Sequence, residues 1–435
     1  MKILLIGNGF DIEHNLPTSY NDFLLFCLKV MPIFTADSRV TIQEYKHNYL
    51  ESWSIDESVK QILVDAFESR YVDKESITDL VYDTGIRTSN KELNELYSYI
   101  KFNTWLRYFQ ECPHKFGRNW IDFESEICRV IKALDSAKKY LSSNKDILES
   151  KLKDETILIE IWKAAATTFQ TVFRSPETVE SFVSFLNTEL DKLIRSLEIY
   201  ISYFVNKIDV LQLSPDIEAL SPDCILSFNY SNTYERVYGV GKSIQYGNIH
   251  GKANISKNVA SCNMVLGIDE YLKGDSKNTE LEFLTFKKYY QRIYKSTDNA
   301  YLDWVDEIKD GYADYLREIE ASYARNNIPV KQRPRTITRN NRIYTEAPPM
   351  RCPEHTLYIF GHSLDVTDQD VLRMFICNDN VQTKIFYHRK NEDDKRSLGK
   401  IIRNLIGVMG QEELIRRTGG AHKTIEFIPQ ALHET

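Results

Sequence analysis

Residues 2–6 read KILLI and run directly into GNGFD at residues 7–11, which LPTSY follows at residues 16–20. The apolar run is typical of a strand buried on both faces of a parallel sheet. In doubly wound α/β folds, closely spaced glycines after such a strand bring backbone N–H groups up to a nucleotide phosphate or ribose. Two glycines are also typical of a plain tight turn, and the full Gly-x-Gly-x-x-Gly fingerprint is missing. The start of the chain therefore predicts a ligand site that needs support from the rest of the sequence.

Length, charge and cysteine usage limit the class of protein. A chain of 435 residues with 42% hydrophobic residues predicts several domains, or one domain with a large insertion. The net charge of -7 argues against a nucleic-acid coat or an anionic membrane surface as the main partner. Seven scattered cysteines without a Cys-x-x-Cys pair argue against a zinc ribbon or a disulfide framework. Because no apolar stretch is long enough to span a membrane, we expect a soluble, cytoplasmic protein.

The second half of the chain alternates short apolar strands with helical patterns. Helices are expected at 368–375 and 400–408. Together the strands predict an α/β fold with a parallel sheet of about six strands. The predicted strands are residues 2–6, 224–228, 263–267, 356–360, 383–387 and 424–428.

Residues 20–209 have a helical pattern almost throughout. The clearest helix begins with Ser175 as N-cap and Pro176 in the first turn, and it carries an apolar stripe from Val179 to Ile208. Such a stripe is typical of a helix facing a core. We predict one α/β domain, residues 1–30 and 220–435, that carries a helical insertion at residues 31–219.

Three of the predicted strands end in polar clusters. In open parallel sheets, ligands bind beyond the carboxyl ends of the strands. If the clusters converge there, they supply backbone donors, an amide, an imidazole and hydroxyls. The clusters are GNGFD at 7–11, SFNYS at 227–231 with IHG at 249–251, and GHSL at 361–364.

In this order, GNGFD, LPTSY, FNY at 228–230, IHG and GHSL resemble the bacteriophage abortive infection protein AbiH family, over nearly the whole chain. The order is similar, more distantly, to sirtuin-like domains, which carry a Gly-Ala-Gly-x-Ser turn, an Asn-x-Asp after a strand, a catalytic His before Gly, and a Gly-x-Ser strand end. The resemblance implies a Rossmann-like, sirtuin-like fold that binds NAD.

The resemblance also implies an activity, hydrolysis of the nicotinamide glycosidic bond of NAD as substrate. An oxocarbenium-like transition state needs a general base and fixed polar groups around the sugar. His250 would be the base, since its ordinary pKa is near neutrality, and Asn229 would orient the ribose hydroxyls or the water. The residues implied in binding the nucleotide are Gly7, Asn8, Gly9, Phe10, Asp11, Ser227, Ser231, Gly361, His362 and Ser363.

The chain departs from the sirtuin pattern at two of these positions. Asp11 stands where sirtuins have Ser, and Ser231 replaces the Asp of Asn-x-Asp. A carboxylate beside a diphosphate is repulsive unless it caps the next helix or is neutralised. The cysteine pairs of the sirtuin zinc module are absent, so neither deacylation nor a metal is implied.

Each candidate also has a purely structural interpretation. Without the resemblance, His250 would be a histidine bonded to backbone, and Asp11 is as well explained as a helix N-cap as a ligand contact. His362 faces either core or ligand. Asp368 is better explained as a helix cap than as a catalytic acid. Glu124, in the segment Trp120, Asp122 and Phe123, either reaches the site from the insertion or belongs to a plain amphipathic helix.

Two other functions and one further segment stay open. The pocket could bind a nucleotide as a sensor without turnover, or Asp11, Asp365, Asp368 and Asp370 could hold a metal ion in a nuclease or nucleotide hydrolase. The arginine-rich residues 325–351 are either a solvated loop or a contact for nucleic acid or a partner. A phage-derived trigger or partner protein and a homo-oligomer also stay open.

Overall fold

The computed structural model describes residues 1–35, 40–73, 85–111, 122–142, 155–169, 175–269, 281–327, 352–389, 396–420 and 423–431. Most of the arginine-rich residues 325–351 lie outside these ranges, as does Trp120. The predictions made for them therefore stay predictions.

Six parallel strands form the central sheet. Their spatial order is β3-β2-β1-β4-β5-β6, with every neighbouring pair parallel. This is the strand order of Rossmann dinucleotide-binding folds, and it confirms the predicted α/β, Rossmann-like sheet. The strands are β1 Lys2–Ile6, β2 Cys224–Ser227, β3 Gln245–Asn248, β4 His355–Phe360, β5 Val381–Tyr387 and β6 Ile425–Pro429.

The strand predicted at 263–267 is wrong, and β3 takes its place. Residues 263–267 are a buried loop whose Leu266 backbone bonds to the side chain of Gln291 rather than to a neighbouring strand. Their apolar side chains, such as Met264, pack into the core of the helices. The strand β3 lies at the sheet edge and is half-exposed, so its sequence QYGN needs no apolar run.

Helices account for most of residues 20–209, as predicted. A short antiparallel pair, Tyr71–Val72 with Ile86–Arg87, interrupts them. The helices are α1 Asn8–Glu13, α2 Tyr20–Val30, α3 Ile42–Tyr45, α4 Glu57–Glu68, α5 Lys91–Ile100, α6 Thr104–Glu111, α7 Phe123–Ser142, α8 Glu155–Ala165, α9 Pro176–Ile199, α10 Pro215–Glu218, α11 Thr233–Val237, α12 Leu281–Leu284, α13 Lys288–Tyr294, α14 Tyr301–Arg325, α15 Gln369–Ile376, α16 Arg396–Met409 and α17 Gln411–Thr418.

Separate hydrophobic cores serve the helices and the sheet. The predicted stripe on α9 is buried, and it continues through a π-helical turn at Tyr200–Phe204. Along β1, Ile3 and Leu5 face one side of the sheet while Leu4 and Ile6 face the other. Both faces are therefore covered, as in other parallel sheets. Among the helices that the structure describes, none is long and apolar enough to cross a membrane.

Candidate functional site

The glycines after β1 interlock with the end of β4. Gly7 donates its N–H to the carbonyl of Phe360 at 3.2 Å, and Gly9 donates to that of Gly361 at 2.7 Å. Gly361 has a φ of +66°, and a Cβ there would lie 2.1 Å from the backbone nitrogen of Phe10. The glycines thus let the two strand ends touch, at the point where the strand order reverses. Both N–H groups are already donated within the protein, so a diphosphate contact through them would require their release.

The three polar clusters do converge at one edge of the sheet. The Asn229 side-chain amide donates to the Gly7 carbonyl at 3.0 Å, which ties the loop after β2 to the glycine turn. Its backbone N–H donates to the Ser227 hydroxyl at 3.2 Å. The Phe10 ring is part of the core, whereas Asn8 and Ser363 are exposed beside the turn.

Asp11 and Ser231 form a buried pair at this edge. The Ser231 hydroxyl donates to Asp11 Oδ2 at 2.7 Å, and Thr233 donates to the Ser231 hydroxyl at 3.1 Å. Asp11 Oδ1 is buried without a hydrogen-bond partner in the described part of the chain. Burial raises the pKa of Asp11 to about 6, although the hydrogen bond from Ser231 opposes the shift. Asp11 is not a helix N-cap: Gly7 holds that position and Asp11 lies inside α1.

His250 and Asp368 form a hydrogen-bonded dyad. His250 follows β3, and its Nε2 lies 3.1 Å from Asp368 Oδ1. An ionised carboxylate only accepts, so Nε2 carries the hydrogen and Nδ1 presents a lone pair. That Nδ1 is buried and has no hydrogen-bond partner among the residues that the structure describes. Burial and the nearby Lys288 ammonium lower the pKa of His250, which keeps the imidazole neutral at pH 7.

Asp368 does not cap its helix, contrary to the prediction. It precedes α15, but its side chain makes no capping hydrogen bond. Three residues earlier, Asp365 accepts the Thr367 N–H at 3.1 Å and performs that role for the short 3-10 turn. The Asp368 carboxylate is therefore available to His250 and Lys288. Its burial opposes ionisation, but the ammonium and the hydrogen bond from His250 hold the pKa well below its usual range.

Lys288 and Glu124 extend the dyad into the helices. Lys288 Nζ lies 3.1 Å from Asp368 Oδ1 and 2.7 Å from Glu124 Oε2. Asp122 accepts hydrogen bonds from the N–H groups of Glu124 and Ser125 at the start of α7. The Glu124 carboxylate is therefore not needed there and extends to Lys288. Of the two interpretations of Glu124, the structure shows the one that reaches the site. Lys288 was not predicted, because nothing local distinguishes it from the adjacent Lys287.

His362 completes the cluster from the end of β4. Its ring and that of His250 both pack edgewise against Phe228, at centroid distances of 4.4 and 5.4 Å. His362 Nδ1 accepts the Leu364 N–H at 2.9 Å, so the neutral ring carries its hydrogen on Nε2. That nitrogen lies 3.6 Å from Asp368 Oδ2. Both oxygens of Asp368 therefore face an imidazole.

The four carboxylates considered for a metal have separate partners. Asp11 contacts Ser231, Asp365 accepts the Thr367 N–H, Asp368 contacts Lys288 and His250, and Asp370 pairs with Arg292. Within the described ranges, no group of three or more His, Cys, Asp or Glu side chains is arranged to hold a metal ion.

The comparisons with known proteins give one match. A family model described as "Bacteriophage abortive infection AbiH" matches residues 3–388. Neither the curated proteins nor the solved structures returned a match. The matched span includes the glycine turn, the His250–Asp368 dyad and the helices that supply Glu124. The chain therefore belongs to the bacteriophage abortive infection AbiH family, which implies a role in abortive infection by phage.

Proposed function

We propose that the protein is an abortive infection effector that hydrolyses NAD at the nicotinamide glycosidic bond, with His250 as the general base. The observation that carries the proposal is the unpartnered Nδ1 lone pair of His250 opposite its hydrogen bond to Asp368. A neutral imidazole held in one tautomer is prepared to accept a proton at a defined atom.

The position of the dyad also supports a nucleotide substrate. His250 lies beside the carboxyl ends of β1, β2 and β4, where Rossmann folds bind nucleotides. Two buried polar atoms at this edge, His250 Nδ1 and Asp11 Oδ1, have no partner within the described part of the chain. Unsatisfied buried polar atoms cost free energy, and a ligand that hydrogen-bonds to them would recover part of it.

The reaction needs few groups. His250 Nδ1 would take a proton from the attacking water, whose oxygen bonds to C1′ of the ribose. The C1′–N bond breaks, and neutral nicotinamide leaves with the electron pair. The proton then passes from His250 to solvent, so the products are ADP-ribose, nicotinamide and one proton. Asn229, fixed to Gly7, would orient the ribose hydroxyls or the water.

The site is closed in this structure. His250 is 6% exposed, so NAD can reach it only after surrounding segments move. This property suits an enzyme whose substrate every healthy cell contains, because the closed form would not consume NAD before infection. The phage-derived trigger, a partner, a homo-oligomer and nucleic-acid contact through residues 325–351 stay predictions.

The test is NAD concentration in cells that carry wild type, His250→Asn or the matched control His47→Asn, before and during phage infection. His47 is exposed and pairs with Glu51 on its own helical turn. We expect NAD loss with wild type and His47→Asn, and level NAD with His250→Asn at equal protein abundance. Level NAD in wild-type cells that still resist phage would contradict hydrolysis and favour a nucleotide sensor without turnover.

A further inference from the structure

We infer that Lys288 is a positioning residue of this site, which fixes the Asp368 carboxylate against His250 and is itself held by Glu124 on α7. The inference rests on the proposed function, because it assigns a role in preparing the His250 base. Lys288 would touch no substrate; it would act through Asp368.

The geometry supports this role atom by atom. Asp368 Oδ1 accepts hydrogen bonds from both His250 Nε2 and Lys288 Nζ, each at 3.1 Å. Lys288 is 4% exposed and its ammonium lies 2.7 Å from Glu124 Oε2. Four elements thus meet on one ammonium and one carboxylate: α7, α13, the residue before α15, and the loop after β3. A shift of Lys288 would move the oxygen that orients the imidazole.

The charges make this arrangement selective for one state of His250. Among the described residues, the charged or titratable groups near the imidazole besides Asp368 and Lys288 include Arg292 and, across Phe228, His362. Asp368 favours the imidazolium, whereas the two cations oppose it. Lys288 therefore keeps Asp368 ionised as an acceptor and His250 neutral at the same time.

Glu124 links this balance to the helices. Burial opposes the charge on Lys288, but Glu124 and Asp368 outweigh it and hold the pKa of Lys288 above its ordinary value. In turn, burial raises the pKa of Glu124, since Lys288 only partly offsets the lost hydration and Asp368 adds repulsion. Among the described residues, Tyr230 is a further titratable group that acts on Lys288. A segment predicted as an insertion thus supplies a side chain to the site.

The test measures the His250 imidazole directly, by NMR of protein with ¹⁵N-labelled histidine, with His250 assigned from His250→Asn. The variants are Lys288→Gln, which removes the charge, and Lys288→Arg, which retains it. We expect Lys288→Gln to raise the pKa of His250 by about 1–2 units, from the loss of one nearby cation. Because Lys288→Arg retains the positive charge, its His250 pKa should differ from that of the wild type by less than about half of the shift in Lys288→Gln. The pH profile of NAD hydrolysis should move with the imidazole.

An unchanged His250 pKa and tautomer in folded Lys288→Gln would overturn the inference. If that variant does not fold, Glu124→Gln/Lys288→Gln removes both members of the buried pair and is measured in its place, with the same expected rise. Higher NAD hydrolysis in Glu124→Gln would also overturn it, because Glu124 would then be a gate. The NMR result does not depend on turnover. If the pKa of His250 shifts in Lys288→Gln but the wild-type protein never cleaves NAD, the proposed function fails and the role of Lys288 stands.

Discussion

The Ser231 hydroxyl donates a 2.7 Å hydrogen bond to Oδ2 of Asp11. Both positions differ from the sirtuin-like pattern that the sequence was expected to resemble, which has Ser at the position of Asp11 and Asp at that of Ser231. Because the two side chains touch, the two differences amount to an exchange of the carboxylate and the hydroxyl. One carboxylate and one hydroxyl therefore remain at this edge of the sheet. The pKa of about 6 also makes Asp11 easier to neutralise beside an anionic ligand than an ordinary carboxylate.

Asp11 should lower the stability of the protein at neutral pH. Its pKa rises from 3.8 to about 6 on folding, so between these values the folded state binds more protons and stability falls as pH rises. The penalty is about 3 kcal/mol above pH 6. We expect Asp11→Asn to raise the free energy of unfolding at pH 7.5 by about 1–3 kcal/mol, measured by urea denaturation, with little change at pH 4. An equal effect at both pH values would contradict the shifted pKa.

Much of the sheet was predictable, because β1, β2 and β4 are largely buried apolar runs, and β5 and β6 each still carry two adjacent apolar residues, Ile385 with Phe386 and Phe427 with Ile428. The edge strand β3 was missed for the opposite reason, since a half-exposed strand needs few apolar residues. His250 was predicted through its motif.

The remainder of the site depends on long-range contacts. Asp368 lies 118 residues from His250 and 80 from Lys288 in the chain. An aspartate before a helix ordinarily caps it, whereas Asp368 ends the 3-10 turn that Asp365 caps and makes no capping bond itself. Local sequence carries no signal for such a release.

Asp368→Asn should impair hydrolysis far more than Asp365→Asn. The first change removes the charge that orients and supports His250; the second removes a cap from a 3-10 turn. We expect kcat/KM for NAD to fall by about 100-fold or more in Asp368→Asn and by less than about threefold in Asp365→Asn. In wild type, activity should decline below an apparent pKa under 6.5, because the protonated imidazole is no longer a base. Equal losses in the two variants would contradict the dyad.

Gly361→Ala should destabilise the protein more than Gly241→Ala. Both residues have positive φ, +66° and +72°, so both alanines pay the left-handed penalty of about 1–2 kcal/mol. A Cβ at Gly361 would also meet Phe10 N and the backbone of Gly9, whereas nothing lies within 4 Å of one at Gly241. We expect a difference between the two variants of at least about 2 kcal/mol in thermal or urea unfolding. Similar losses would show that the strand ends are not packed on the glycines.

Arg195 should be the strongest link between α9 and the loop after His250. It is 1% exposed, pairs with Glu198 at 2.7 Å and donates to the carbonyls of Asn254 and Ile255. Removing one member of a buried ion pair costs about 3–5 kcal/mol, since the other charge remains buried. We therefore expect the free energy of unfolding to fall by that amount in Arg195→Met. It is measured by urea denaturation, as the midpoint concentration multiplied by the slope of the free energy against urea concentration.

The matched control is Arg317→Met, an exposed arginine paired with Asp314 one turn away, for which a loss below about 1 kcal/mol is expected. Arg195→Met/Glu198→Met should recover part of the loss, because no buried charge of that pair is left alone. A loss in Arg195→Met no larger than in Arg317→Met would mean that the loop is held by its own packing. In that case the contact of α9 with this loop that matters would be Glu198, which accepts the Asn254 N–H at 3.1 Å.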